Sequence, residues 1–487
     1  MNLFPPVPWL RGAAPAVAAL PALLAACHGY EPAPLDSAAI FAAETARRGS
    51  AADPSLPEPN PAPAGIDLAQ ADAWLREHSP IVRLARAHAA TAAARAREDE
   101  PWPDPELQIG PQLAFGDDVA AGRASPFASL ALRIPLGERL AAASDLDRAR
   151  AEVQRIDALL TLREQQLALR ADWVALLAAR SRAGLADETA ELAARAHAFA
   201  ERLVDAGGFG AADAATTALE ATLRAGEALD ARTELGAAEC AVAQRTGVDG
   251  SRFARVQGEL PTPPAFDVAA ERLQELAALH TPALLRARGA YALAERSLRL
   301  EVAKQVPDLE LSPSFSDEPG EDKNVFALGI GLRLPLFDGN RKAIREAEAA
   351  RDEARIAYET AVATTLAELA RATRALHDAR ARRSAIEVAL LPTALRAVEL
   401  ARRAVQAGEG NVLLLLESER ALARAKRTLL DAGVDELEAW LALERTLCIP
   451  LLELGARAPD AIEPPPLDPK THDEVLRAAH GTPEDHR

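Results

Sequence analysis

A few side chains in this 487-residue chain are placed where they could do chemistry. Arg133 and Arg333 stand two residues before Pro135 and Pro335, in stretches that otherwise match. A guanidinium repeated in this way can tune ion passage if it lines water, or steady a fold if it pairs with a carboxylate. Glu417 offers a carboxylate at the start of a long apolar-rich helix pattern. Cys27 follows Leu24-Ala25-Ala26, so small residues precede a thiol. Cys240 and Cys448 are the other cysteines; they could pair, but two buried small hydrophobes are the simpler reading. The nine histidines are scattered, Met occurs only at Met1, and no Cys/His group has the spacing of a metal site. No nucleophile, acid or base motif of an enzyme is recognisable, and no metal or cofactor site is expected.

The elements that must position these residues occur twice. Phe127-Ala-Ser-Leu-Ala-Leu-Arg-Ile-Pro-Leu136 returns as Val325-Phe-Ala-Leu-Gly-Ile-Gly-Leu-Arg-Leu-Pro-Leu-Phe337. Ser79-Pro80 returns as Thr281-Pro282, Pro103-Asp104 as Pro307-Asp308, and Ala206-Gly207 as Ala407-Gly408. Two long copies at this spacing are a duplication, not a solenoid. Each copy reads as helix, two strands, very long helix, turn and long helix.

The strands alternate with period two. Phe326, Leu328, Ile330, Leu332 and Leu334 oppose Ala327, Gly329, Gly331 and Arg333, while Leu309, Leu311 and Phe315 oppose Glu310, Ser312 and Ser314. In the first copy Leu107, Ile109, Leu113 and Phe115 oppose Gln108, Gly110, Gln112 and Ala114. Its second strand sets Ala128, Leu130, Leu132 and Ile134 against Ser129, Ala131 and Arg133. Alternation fits a half-buried soluble strand or a membrane barrel strand. Gly116–Ser125 and Ser316–Asn324 read as polar hairpin loops, which leaves strands near the ~9–11 residues that a tilted membrane strand needs. Four strands cannot close a barrel, and an open edge is not tolerated in hydrocarbon. Several chains would therefore have to contribute four strands each. Two would give a filled eight-stranded barrel; three would give twelve and a lumen, which suits inward glycines and the arginines.

Composition and punctuation set the rest. A net charge of −17 and pI near 5.2 argue against a nucleic-acid surface. Arg11 followed by the Ala/Leu-rich Ala13–Ala26 describes a secretory signal over residues 1–26. Residues 27–65 read as a Pro/Ala-rich tether, 66–258 and 259–456 as the two copies, and 457–487 as a disordered tail. From Arg341 to Gln406 only Pro392 interrupts a helix, with Ile344, Ala347, Ala354, Tyr358 and Ala361 at close-packing spacings. Gly207, Gly208 and Gly210 in one copy, and Gly408, Gly410 and Asn411 in the other, sit where the long helices must reverse, with glycine supplying positive φ.

Leu24–Cys27 resembles a bacterial lipobox, which makes Cys27 the lipidated residue and the only covalent group implied. With the following Tyr30-Glu-Pro-Ala-Pro-Leu-Asp36, the joints Ile134-Pro-Leu-Gly-Glu-Arg-Leu-Ala141 and Leu334-Pro-Leu-Phe-Asp-Gly-Asn-Arg-Lys-Ala343, Leu391-Pro392, and Val405-Gln-Ala-Gly408, the chain resembles TolC-like outer-membrane efflux proteins of the lipoprotein type. The resemblance runs from about Cys27 to Leu452. It implies a mainly α protein with a small membrane β part: a homotrimer whose twelve-stranded barrel continues into a periplasmic α-helical barrel. It also implies a passive outer-membrane conduit of a tripartite efflux or type I secretion system, anchored by lipid and fed by a periplasmic adaptor and an inner-membrane transporter. The glycine turns would meet the adaptor, and Glu417 would stand at the periplasmic gate, while Leu414 occupies the family's other acidic position. A lipid-anchored coiled-coil scaffold without a pore is the alternative; it explains the helices but not four matched strands.

Overall fold

The computed structural model describes residues 30–49, 66–113, 124–205, 210–247, 253, 256, 258–263, 268–318, 323–407 and 412–450. The chain divides into two units, residues 1–58 and 59–487. In the first, helix α1 (Ser37–Gly49) begins where the Asp36 carboxylate accepts from the backbone N–H of Ala39 at 2.9 Å. The proline-rich stretch expected to be an extended tether thus holds a capped helix.

The second unit carries the duplication. Helix α2 (Leu68–His78) opens with a capping box: Gln70 N–H donates to Asp67 at 2.8 Å, and Asp67 N–H donates to the Gln70 side chain at 3.2 Å. Helix α3 (Pro80–Arg95) starts on a proline, which has no N–H to leave unsatisfied. Strands β1 (Glu106–Leu113) and β2 (Ala124–Pro135) lead to α4 (Arg139–Asp205), 67 residues long, and α5 (Ala211–Thr246). At ~1.5 Å per residue α4 is about 100 Å long. The second copy repeats the order with α6 (Ala270–His280), the proline-started α7 (Pro282–Ala303), β3 (Asp308–Glu318), β4 (Lys323–Leu332), α8 (Arg341–Ala385), α9 (Leu391–Gln406) and α10 (Val412–Leu447).

One π turn, Ile386–Leu390, joins α8 to α9, and Leu391 N–H donates to Ile386 C=O. Pro392 follows at once and cannot donate, so the wider turn carries the helix past it without a break. Along α8 the stripe Ile344, Ala347, Ala354, Tyr358 and Ala361 is half-buried, and it continues as the buried Thr365, Leu369, Ala372 and Leu376.

Two cores repeat as well. Leu75, Leu169, Trp173, Leu176, Val242 and Phe253 form one where α2 meets α4 and α5; Leu276, Leu369, Leu376, Trp440, Leu443 and Leu447 form the other where α6 meets α8 and α10. Burying each such side chain contributes about 1.5–3 kcal/mol relative to exposure. Trp173 meets Phe253 edge to face, with ring centroids 6.4 Å apart.

The four strands make one antiparallel sheet in the order β1-β2-β3-β4, and the β2–β3 pairing joins the copies. Ser125, Ser316 and Asn324, expected in hairpin loops, pair within strands.

Candidate functional site

The register sorts the sheet into two faces. Leu107 lies opposite Leu130, Leu132 opposite Leu311, Leu309 opposite Leu332, Leu311 opposite Ile330, and Phe315 opposite Phe326. Every one of these pairs is apolar, and Leu107, Ile109, Leu130, Phe315, Phe326, Leu328, Ile330 and Leu332 are exposed. The other face pairs Gln108 with Ser129, Ser129 with Ser314, Ser312 with Gly329, and Glu310 with Gly331. Among the described residues no core covers the apolar face of this sheet, and its outer strands β1 and β4 each have one unpaired edge. Such a surface needs an apolar environment and a partner strand at each edge.

Arg133 lies on the polar face, opposite Glu310, and its Nη2 donates to Glu106 at 3.1 Å. Arg133 thus has a carboxylate partner while it keeps its place on the polar face. Arg333 follows β4 directly and is exposed.

Two joints fix the sheet to the long helices. In the first, Arg139 pairs with Asp308 at 3.1 Å and Glu138 with Arg299 at 3.3 Å. In the second, Gly339 and Asn340 are both left-handed, with φ of 53° and 55°. Glycine adopts this freely and asparagine more readily than most residues, which is how the chain turns sharply into α8. The Asn340 side-chain N–H group donates to the Glu301 backbone at 2.8 Å and to its carboxylate at 2.9 Å, while Gln305 donates to Gly339 C=O at 2.9 Å. Burial works against the Glu301 charge, yet Lys304 and Asn340 outweigh it and hold the carboxyl below its usual range.

At the far end of the long helices, Gly207, Gly208, Gly408, Gly410 and Asn411 lie outside the described residues, as does Cys27. Gly210 is the N-cap of α5 with φ −76°, so the positive φ expected of a turn glycine is not used there. Glu417 is exposed on α10, 3.8 Å from Arg420, and Leu414 beside it is exposed. A crevice of about 260 Å³ between α4, α5 and α10 lies nearby, lined by Leu185, Leu192, Leu416 and the charged Glu220, Arg224 and Arg420. Glu220 accepts from Arg224 at 2.8 Å and stands 3.6 Å from Arg420, tying α5 to α10. The Glu220/Arg224 spacing of four was visible in the sequence, but the link to Arg420, 200 residues away, was not. Cys240 is exposed and Cys448 is buried, both as free thiols, which corrects the expectation that both are buried.

Residues 273–448 match the family of outer membrane efflux proteins. The cobalt-zinc-cadmium resistance protein CzcC of Cupriavidus metallidurans is 27% identical over 279 residues, 56% of this chain and 65% of that protein. The second copy of the duplication is thus similar to outer membrane efflux proteins over most of its length. Outer membrane protein OprJ of Pseudomonas aeruginosa is 30% identical over 207 residues, 41% of each chain. The aligned stretches therefore span less than two thirds of these relatives' own lengths. The outer membrane protein VceC of Vibrio cholerae superposes with a TM-score of 0.64 at 17% identity, covering 78% of this chain and 96% of that one. That likeness establishes the fold: four antiparallel strands and long helices, as in outer-membrane channels. The efflux family is one of channels rather than enzymes, and its place is the outer membrane, reaching into the periplasm.

Proposed function

We propose that three copies of this chain close a twelve-stranded barrel in the outer membrane and continue as a helical duct through the periplasm. The observation that carries this reading is the four-stranded sheet with an exposed apolar face, a polar reverse face and two edges left unpaired among the described residues. A third of a barrel has this form: its outside meets lipid, its inside meets water, and its edges pair with neighbours. A scaffold without a pore has no use for it.

In this reading the duct is passive, and an inner-membrane transporter feeds it through a periplasmic adaptor that docks on the turns at Gly207, Gly208, Gly210, Gly408, Gly410 and Asn411. Glu417 faces its symmetry mates at the periplasmic mouth, where repulsion between carboxylates favours cations. Cys27 carries lipid as an auxiliary anchor in addition to the barrel's own hold on the membrane. The resistance protein CzcC, through its name, makes divalent metal cations the first cargo to test. Passage needs no resident ligand set, because a conduit does not have to bind what it passes.

The test is direct. The full chain should migrate as a heat-modifiable trimer and conduct in planar bilayers. A monomer that never conducts would overturn the reading. With Arg133 paired to Glu106 and facing Glu310, reversing Arg133 and Arg333 to Glu should move the reversal potential toward cations. An unchanged potential in an intact trimer would remove both arginines from the lumen.

A further inference from the structure

The apolar face of the sheet does not stop where β4 stops. Leu334, Leu336 and Phe337 run on through the second joint at 57%, 68% and 96% exposure. A phenylalanine left almost wholly in solvent is unusual, and this one is not on a loose end. Its segment is pinned by Leu336 N–H to Leu334 C=O at 2.9 Å, by Arg341 N–H to Asp338 C=O at 3.1 Å, and by the Gln305 and Asn340 bonds to either side.

Immediately beyond stand three exposed cations, Arg341, Lys342 and Arg345, at the start of α8. That position is electrostatically poor, since the N-terminal end of a helix carries partial positive charge and the first turn of α8 has no acid. Between 334 and 345 these three face one carboxylate, Asp338, so the segment is net +2 in a chain of net −17. Among the described residues none of the three forms an ion pair. The first joint is the control built into the same molecule. There 134–145 holds Glu138 and Asp145 against Arg139, a net −1, and its charges are taken up by Asp308, Arg299 and Arg148.

We propose that the second joint seats anionic phospholipid of the membrane leaflet, with Phe337 and Leu336 in the acyl boundary and Arg341, Lys342 and Arg345 on the headgroup phosphates. This rests on the barrel reading above and sharpens it by marking where the lipid surface meets the chain. The complementarity is twofold. The apolar band is continuous with the lipid-facing sheet, and the charge that the helix end disfavours is the charge an anionic leaflet attracts. An aromatic ring at the edge of an apolar band is also the usual device for fixing a barrel at the interface.

The experiment uses the full-length protein in nanodiscs of mixed phosphatidylethanolamine and phosphatidylglycerol. Native mass spectrometry of the released protein should show retained phosphatidylglycerol in excess. In R341Q/K342Q/R345Q the retained ratio should fall by roughly a hundredfold if each of the three cations contributes its usual attraction to an anionic surface. A photo-crosslinking residue at position 337 should form adducts with phospholipid. Adducts with a second copy of the chain, or an unchanged lipid ratio in the triple variant, would overturn the proposal. Trimer migration and conductance are read on the same samples. A conducting trimer without lipid preference defeats this inference alone, and a chain that never enters the bilayer defeats both.

Discussion

Arg180 and Arg380 occupy equivalent places in the two copies, 200 residues apart, and hold different things. Arg180 donates to the backbone carbonyls of Val256 and Phe253, in the stretch that follows α5. Arg380 donates to the Glu436 carboxylate on α10 at 2.9 Å, and Arg383 donates to its other oxygen at 3.0 Å. The apolar neighbours hardly differ, since Leu169 and Leu176 return as Leu369 and Leu376 in the two cores. Burial of apolar area is non-directional, so a duplicated stripe needs only its spacing to work again. A guanidinium needs acceptors at set angles and takes whichever the local chain supplies.

The largest expected effect tests that difference. Glu436 is 3% exposed, and removing it takes away the buried carboxylate that Arg380 and Arg383 share. Glu436→Ala should destabilise the helical bundle by about 3 kcal/mol. Arg180→Ala removes hydrogen bonds to neutral backbone carbonyls rather than a shared buried charge, and should cost about 1–2 kcal/mol. Thermal unfolding followed by circular dichroism ranks the two. If Arg180→Ala proved the costlier, the backbone clamp of the first copy would be the stronger lock and the contrast would be reversed.

Much of this was legible before the structure, and the reasons are physical. Strand alternation and the α8 stripe report burial through periodicity, so the sheet faces and the packed line from Ile344 to Ala361 could be read directly. Polarity misled at the hairpin ends. Ser316, Asp317 and Asn324 look like loop residues, yet backbone pairing continues past the apolar band because ladder hydrogen bonds do not depend on side-chain polarity. Pro392 announced an interruption, but whether a helix breaks or widens into a π turn depends on its packing. Asn340 drew notice as part of a motif, whereas its grip on Glu301 required knowing that the end of α7 lies beside the joint. The bridge from Glu220 to Arg420 lay beyond reach for the same reason.

A second contrast lies between the two histidines that end the short helices. His78 stands edge-on to Trp74 with ring centroids 4.6 Å apart, while His280 is buried at 2% exposure. Burial pushes the His280 pKa below its ordinary 6.5, and Arg163 and Arg272 push it the same way. The folded state therefore resists a proton that the unfolded chain accepts. The stabilisation is complete above about pH 6.5 and is lost as pH falls below it, by at most about 1.4 kcal/mol per pH unit. Melting temperature measured from pH 8 to pH 5 should fall less steeply in His280→Gln than in the parent, with His78→Gln as the control. Parallel profiles for the parent and His280→Gln would take His280 out of the acid response.

The smallest effect concerns how the two 36-residue helices α5 and α10 end. Each runs into a left-handed residue, Gly247 with φ 74° in the first copy and Cys448 with φ 55° in the second. Glycine bears that conformation without strain; any residue with a Cβ gives up about 1–2 kcal/mol. Gly247→Ala should therefore destabilise by about 1 kcal/mol. The cysteine is there at that cost, and what offsets it is burial: Cys448 is 1% exposed, beside the core around Leu447 and Ile449. Burial also drives its thiol pKa up to about 12, with Glu164 adding to the shift, so the group sits there as a small apolar side chain rather than a nucleophile. Cys448→Gly removes strain and packing together and should change stability by less than about 1 kcal/mol, while Cys448→Ala keeps the strain, loses the sulfur and should be the worse of the two. Maleimide labelling provides an independent reading, because the exposed Cys240 should react in the folded protein and Cys448 only after unfolding. If Cys448→Gly were instead destabilised by several kcal/mol, the sulfur's packing would outweigh the backbone, and the two helix ends would differ in kind rather than in degree.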